Sequence, residues 1–247
     1  MNKRLFLAGA TGAMGRSLAP LLVASGWLVV GTTRSMDKVP SLTAMGVEPV
    51  VVDAFDSDQL TDAVRRFRPS VVVHQLTDLP PALDPSRMAE ALVRTARLRE
   101  EGTRNLIAAA RSAGSERFVA QSIAFAYAPG PTPHAEADQL DVDAEGGAGV
   151  TARGVTSLER QVLEAPMTGV ILRYGALYGP GTGFDRPTFP GAVHIDAAAK
   201  ATELAVSRTV AGVFNIAEED GFVSSDRARR LLDWKPEWRR EHGLLSV

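Results

Sequence analysis

A chain of 247 residues, 45% apolar and 23% charged, has room for one globular α/β domain with a full core. A formal net charge of −2 gives no electrostatic reason to expect nucleic acid or an anionic membrane as partner. The absence of cysteine excludes disulfides, thiolate catalysis and cysteine-based metal sites.

The first strand is expected at 4–9, "RLFLAG". Its basic start and apolar run superficially resemble a signal peptide, but the run stops after about four residues and glycines follow where an apolar region should continue. No apolar run approaches the ~18 residues of a membrane span, and a cytoplasmic protein is expected. A helix follows the glycines, with Pro20 inside it against the local rule, since proline removes a helical hydrogen bond.

Further strands are expected at 27–33, 48–53, 70–76, 117–123, 169–175 and 212–217. Between them, 56–67 reads as a helix with Asp56 as cap and Gln59 at the capping-box position. A longer helix, 85–113, stops at Gly114. The stretch 128–150 is rich in Pro, Gly, Ala and acids and is expected to be a long loop, functional or disordered. The Val-rich runs lack polar alternation, which marks strands buried on both faces. Strand–helix alternation then predicts a Rossmann-type, doubly wound parallel sheet with right-handed crossovers. The four histidines, His74, His134, His194 and His242, form no H-x-x-x-H pair, so a catalytic zinc is not expected.

In "GATGAMG", Gly9, Gly12 and Gly15 lie between the first strand and the first helix. Gly9 would permit the tight turn, Gly12 would let a phosphate approach the backbone, and Gly15 would let the helix pack close. A pyrophosphate could then rest on the amides at the helix N-terminus. At the first βα turn of a parallel sheet this is the fingerprint of dinucleotide binding. An NAD site places an acid roughly 20 residues further on. Here Thr32, Thr33, Arg34 and Ser35 occupy that region, with no carboxylate before Asp37. Arg34 could pair with a 2′-phosphate, favouring NADP over NAD, or could be a solvated surface arginine.

With these residues in view, the chain resembles the extended short-chain dehydrogenase/reductase superfamily, of the NAD-dependent epimerase/dehydratase type. The likeness runs from residue 3 to about 217, through "VVDAFD" (51–56), "VVVHQLTD" (71–78), "EGTRNLIAAA" (101–110), "RFVAQSI" (117–123) and "LRYGALYGPGTG" (172–183). It implies that Gly9, Thr11, Gly12, Ala13, Met14, Gly15 and Arg34 bind the cofactor, with Asp53 and Ala54 facing the adenine. It further implies that His74, Gln75, Leu76 and Thr77 line the cofactor with Gln121, that Ser122 takes the place of the catalytic serine, and that Tyr174 and Leu177 lie near the nicotinamide. Each has a plainer alternative: Ser122 as a satisfied loop hydroxyl, His74 as a backbone partner, Arg173 as a structural anchor.

The family's chemistry rests on Tyr-x-x-x-Lys at the start of a helix, where lysine lowers the phenol's pKa so that a proton can move as the hydride does. The helix resembles "TSLERQVLEA", 156–165. Aligning Glu159 with the acid that often follows the motif puts Thr151 at the tyrosine position and Val155 at the lysine position. Neither can serve, as in the atypical branch of the superfamily. Tyr127 is the first substitute candidate, then His74, His134 and Tyr174; Tyr127 could equally be a loop aromatic packing over the cofactor. Residues 1–175 are expected to form the NAD(P)-binding part, and 176–247 a shortened substrate lobe interleaved with the sheet. Two functions remain open. One is an NADP-preferring oxidoreductase or epimerase-like enzyme acting on a small molecule. The other is a catalytically silent NADP-binding protein that regulates a protein partner or senses redox state. A homodimer is compatible with either.

Overall fold

The computed structural model describes residues 3–240. Its strands are β1 (Arg4–Ala8), β2 (Leu28–Thr33), β3 (Glu48–Val51), β4 (Val71–His74), β5 (Arg117–Ile123), β6 (Thr168–Tyr174), β7 (Leu177–Tyr178), β8 (Val193–His194) and β9 (Gly212–Ile216). The helices are α1 (Ala13–Ala24), α2 (Val39–Ala44), α3 (Ser57–Phe67), α4 (Pro85–Arg97), α5 (Thr103–Ser112), α6 (Gly146–Glu164), α7 (Ile195–Ser207) and α8 (Asp226–Leu232). All strands but β7 and β8 join one parallel sheet in the order β3-β2-β1-β4-β5-β6-β9, while β7 and β8 pair with each other.

Alternate residues of each strand feed opposite cores, the period-2 consequence of a pleated backbone. Leu5, Leu7, Val73, Leu172 and Phe214 pack on one face against Leu18 and Leu22 of α1 and Ala198 and Ala201 of α7. On the other face, Phe6, Val72, Phe118 and Ile171 meet Leu60 and Val64 of α3, Leu106 of α5 and Leu158 of α6. Each fully buried Phe or Leu contributes about 1.5–3 kcal/mol, so both helical layers contribute to holding the sheet between them. Strand order reverses between β1 and β4, and such a switch point leaves a crevice at the carboxyl edge of the sheet.

Local chemistry sets the helix ends. The Asp56 side chain accepts a hydrogen bond from the Gln59 amide at 3.0 Å and starts α3 as expected. Helix α1 runs through Pro20, whose missing amide deprives the Arg16 carbonyl of its helical donor. The expected single helix 85–113 is α4 and α5 joined by a π turn, Leu98–Gly102.

The expectation for 128–150 needs correction. Residues 146–150 are already helical, and α6 starts ten residues before the expected 156. Glycine-rich "GGAG" reads as a helix breaker, yet here tertiary contact decides: a β-carbon at Gly149 would collide with the Ala144 carbonyl, so only glycine lets the helix close on the preceding chain. The remaining loop is pinned by backbone bridges from Tyr127 to Leu140 and from His134 to Val223.

Described residues of the expected interleaved lobe pack into the main core. Strand β9 pairs with β6, α7 packs on α1, and the buried Trp234 donates its indole N–H to the Ala197 carbonyl at 2.8 Å. Residues 1–2 and 241–247, with His242, lie outside the described residues.

Candidate functional site

The structure brings the expected cofactor residues to the carboxyl edge of the sheet, around the switch point. Gly9 leaves β1 with φ +88°, a left-handed conformation that excludes ordinary side chains, and a β-carbon there would lie 2.7 Å from the Gln75 carbonyl oxygen. At Gly15 a β-carbon would meet the Ala10 carbonyl at 2.5 Å, so α1 is drawn tightly onto its own entry turn. Gly12 differs. It has φ −73°, and the only neighbour a β-carbon would meet is the Gly9 oxygen, at 3.4 Å. Two glycines close the turn, and the third leaves an open face beside the first amides of α1, flanked by Thr11, Ala13 and Met14. That open cradle at a helix N-terminus accommodates a pyrophosphate.

Arg16 was missed in the sequence, although it immediately follows the fingerprint. Its guanidinium donates to the Thr11 carbonyl at 2.7 Å, placing a cation at the rim of the cradle. Opposite, the chain after β7 comes over the groove: a β-carbon on Gly181 would lie 3.2 Å from Arg16 Nη2, and one on Gly183 would lie 2.7 Å from Ala82 Cα.

At the end of β2, Thr32 accepts from the Gly9 amide at 3.1 Å, and Arg34 lies 57% exposed with one nitrogen 3.3 Å from Asp78. Arg94 holds the other oxygen of Asp78 at 3.0 Å. An exposed pair of this kind is worth little, about 0–1 kcal/mol, so Arg34 can leave it for a better anion at small cost. Asp53 is exposed after β3, one oxygen taking the Phe55 amide at 3.0 Å, and the Ala54 carbonyl accepts from Asn105 at 2.9 Å.

The acid/base candidates are arranged differently from expectation. Ser122 is fully buried and donates to Glu159 Oε1 at 2.6 Å. Arg173 clamps the same carboxylate with Nε at 2.8 Å and Nη2 at 2.7 Å, and its Nη1 donates to the Tyr127 hydroxyl at 2.9 Å. Tyr127 in turn donates to Asn215 Oδ1 at 2.6 Å and stacks on His134, whose Nδ1 lies 3.1 Å from Asp138. Burial raises the Tyr127 pKa above its ordinary value despite Arg173. Breaking one partner out of such a buried ion pair costs about 3–5 kcal/mol, which identifies this network as a structural tie between β5, β6, β9 and α6.

His74 accepts the Leu76 amide on Nδ1 at 3.1 Å, so Nε2 carries the proton given to Thr103 Oγ1 at 3.1 Å. Burial, reinforced by the positive charge of Arg99, pushes its pKa down to about 3 and keeps it neutral. Tyr174 is held between Thr202 and Gln75, its pKa pushed up to about 12 by burial. None of Tyr127, His74, His134 and Tyr174 is more than 8% exposed, and both phenols, both His74 nitrogens and His134 Nδ1 are hydrogen-bonded. In this structure Ser122 and Tyr127, the expected catalytic pair, are buried and hydrogen-bonded to Glu159 and Asn215. Beside the groove, Leu76, Thr77 and Gln121 are partly exposed at the ends of β4 and β5, Leu177 is half-buried in β7, and Val155 is wholly buried. Among the described residues no group of three potential ligands could hold a metal, and no helix is long and apolar enough to cross a membrane.

Residues 9–178 match the family model described as NAD(P)H-binding. The chain is 39% identical over 261 aligned residues to the 3-diazoavenalumate denitrifying reductase of a Streptomyces species, covering 97% of this chain and 82% of that one. Among solved structures, the UDP-glucose 4-epimerase of Thermotoga maritima with UDP-glucose superposes with a TM-score of 0.76 at 16% identity, over 96% of this chain and 94% of that one. The UDP-glucose 4-epimerase of Thermus thermophilus with NAD gives 0.69 at 22% identity, over 96% and 85%. The chain thus belongs to the NAD(P)H-binding family, is related to a reductase, and shares the fold of the two epimerases.

The contrast among the glycines yields a direct test. Gly12→Val should fold, losing no more than about 1 kcal/mol at a helix N-cap, because nothing in the chain opposes its side chain. Its NADPH affinity should fall roughly a hundredfold, since phosphate contacts to the amides are blocked. Calorimetric titration alongside thermal unfolding checks both; a folded variant with unchanged affinity would show that the cradle does not hold the cofactor.

Proposed function

We propose that the protein is an NADPH-dependent reductase that places hydride on an electrophilic small molecule without a proton from its own side chains. The observation that carries this is the burial of every expected acid/base group beside an open dinucleotide cradle. An epimerase must take a proton from a sugar hydroxyl and return it, and a carbonyl reductase must protonate an alkoxide. With Thr151 and Val155 in place of Tyr and Lys, and with Ser122, Tyr127, His74 and Tyr174 tied into the core, this chain offers neither proton step at the expected positions.

The relative's name points to chemistry that needs neither. In the reduction of an aryl diazonium, a C–H bond forms as the C–N bond breaks, and the C–N electron pair leaves with dinitrogen. The reaction balances as ArN₂⁺ + NADPH → ArH + N₂ + NADP⁺, with no alkoxide to protonate. We extend this substrate class to the present chain: an aromatic diazo or diazonium compound bearing a carboxylate. Aliphatic diazonium ions lose nitrogen unaided, so an enzyme has use only for the stabilised aromatic ones. Bound NADPH would supply the hydride, and the chain's residues hold and orient the reactants. Gly9 to Gly15 receive the pyrophosphate, Arg34 exchanges Asp78 for the 2′-phosphate, and Phe125, 49% exposed just beyond β5, offers a face on which a flat ring can stack. We place this activity in the cytoplasm. The second reading, an NADP-occupied regulator without turnover, is favoured by the same burial of acid/base groups and differs in outcome.

Arg34→Ala should weaken NADPH by about 1.5–3 kcal/mol, the range for hydrogen bonds to a charged group, and leave NADH nearly untouched. Equal losses for both cofactors, read by titration, would show that Arg34 does not read the 2′-phosphate.

For the reaction, 4-carboxybenzenediazonium should consume NADPH one for one, releasing N₂ and benzoate, above the rate without protein. Tight NADPH binding with no such consumption, from this or other aryl diazonium salts, would leave the regulatory reading in possession.

A further inference from the structure

Arg99 is the second residue of the π turn between α4 and α5, and its side chain lies between that turn and α6. Gly154 makes the room: a β-carbon there would stand 3.1 Å from Ala96 Cα and 3.5 Å from Arg99 Cδ. Thr103, four residues on, hydrogen-bonds His74 at the end of β4. Arg99 therefore sits one helical turn, about 6 Å, beyond the end of β4 on the side of the sheet covered by α5 and α6. π turns inside helices recur at functional sites.

Its surroundings give the cation few direct partners. Arg99 is 7% exposed, and its one hydrogen bond runs from Nη1 to the Thr151 carbonyl at 3.5 Å, the limit of such a bond. Glu159, whose charge it feels, already has its oxygens engaged by Arg173 and Ser122. Burial draws the guanidinium's pKa down to about 10, which still leaves it cationic at neutral pH. No Arg99 nitrogen is among the fully buried atoms that lack a partner, so the guanidinium of this largely buried side chain keeps donors for a ligand that supplies a counter-charge.

We infer that Arg99 is an anion-binding residue of this groove and takes the carboxylate of the substrate through its planar fork. The inference rests on the reductase reading only for the identity of the acid. A cofactor phosphate is the less suitable occupant, because the pyrophosphate cradle belongs to α1 on one face of the sheet, whereas Arg99 stands with α5 and α6 on the other. Two flat N–H pairs match a carboxylate bidentately. Thr151 and Val155, short where a tyrosine and a lysine were sought, leave that part of α6 without a competing phenol or ammonium.

The test is a binding titration of the NADPH-loaded protein with benzoate, cinnamate and their neutral amides, which requires no turnover. The wild type should prefer at least one acid over its amide by tenfold or more. Arg99→Met should abolish that preference, Arg99→Lys should retain part of it, and the NADPH affinity of both should stay within threefold. The melting temperature of Arg99→Met should be equal to or above wild type, since an unpaired buried charge has been removed; a purely structural arginine would lower it. The inference is overturned by a wild type that does not distinguish acid from amide, by an Arg99→Met protein that keeps the preference, or by one that loses NADPH affinity in equal measure. Because none of these readouts involves diazonium reduction, failure of that activity leaves the anion site standing, and failure of the site leaves the activity standing.

Discussion

Everything at the carboxyl edge depends on backbone meeting backbone where β1 turns into α1. Gly9 presses against the Gln75 carbonyl at the end of β4, and Gly15 presses against the Ala10 carbonyl. These approaches, closer than any β-carbon allows, set the N-terminus of α1 squarely over the switch point and turn its first amides outward. The sheet could be rebuilt from many apolar residues of similar volume, but this geometry admits only glycine. The cradle is thus a consequence of packing, and the open side of Gly12 is the part given over to a ligand.

A second constraint diverts the chemistry. Glu159 accepts from Ser122 and from both sides of Arg173, and Arg173 reaches on to Tyr127, which reaches Asn215. Four elements are joined by one buried network, and the hydroxyls most readily imagined as catalysts are consumed in it. A partly satisfied network would be worse than an apolar core, which explains why no member is left spare for substrate. On the reading proposed above, the remaining polar groups facing the groove bind and orient and exchange no protons.

Much of this was legible beforehand. The seven strands of the main sheet lie within two residues of their expected ends, because valine-rich runs between glycines and caps leave little choice. The glycine turn was legible because each glycine answers a separate steric demand. The start of α6 was not, since Gly146 to Gly149 oppose a helix locally and only the close contact with Ala144 reveals why they are there. Nor was the employment of Ser122 and Tyr127: a serine at a strand end looks alike whether it faces solvent or a carboxylate 37 residues later. Arg99 was passed over for the same reason, as one charge among several in "RLREEGTR", distinguished only by the side on which the π turn places it.

The central claim is that the transferred hydrogen comes from the cofactor alone, with no proton from the protein. The most direct measurement is the isotopic content of the arene formed from an aryl diazonium. With NADPH deuterated at the transferring C4 position, in ordinary water, the ring carbon that carried nitrogen should bear one deuterium. With ordinary NADPH in D₂O it should bear none. Deuterium at that carbon from D₂O would mean that the hydrogen is derived from solvent and not from the cofactor, and would contradict the account.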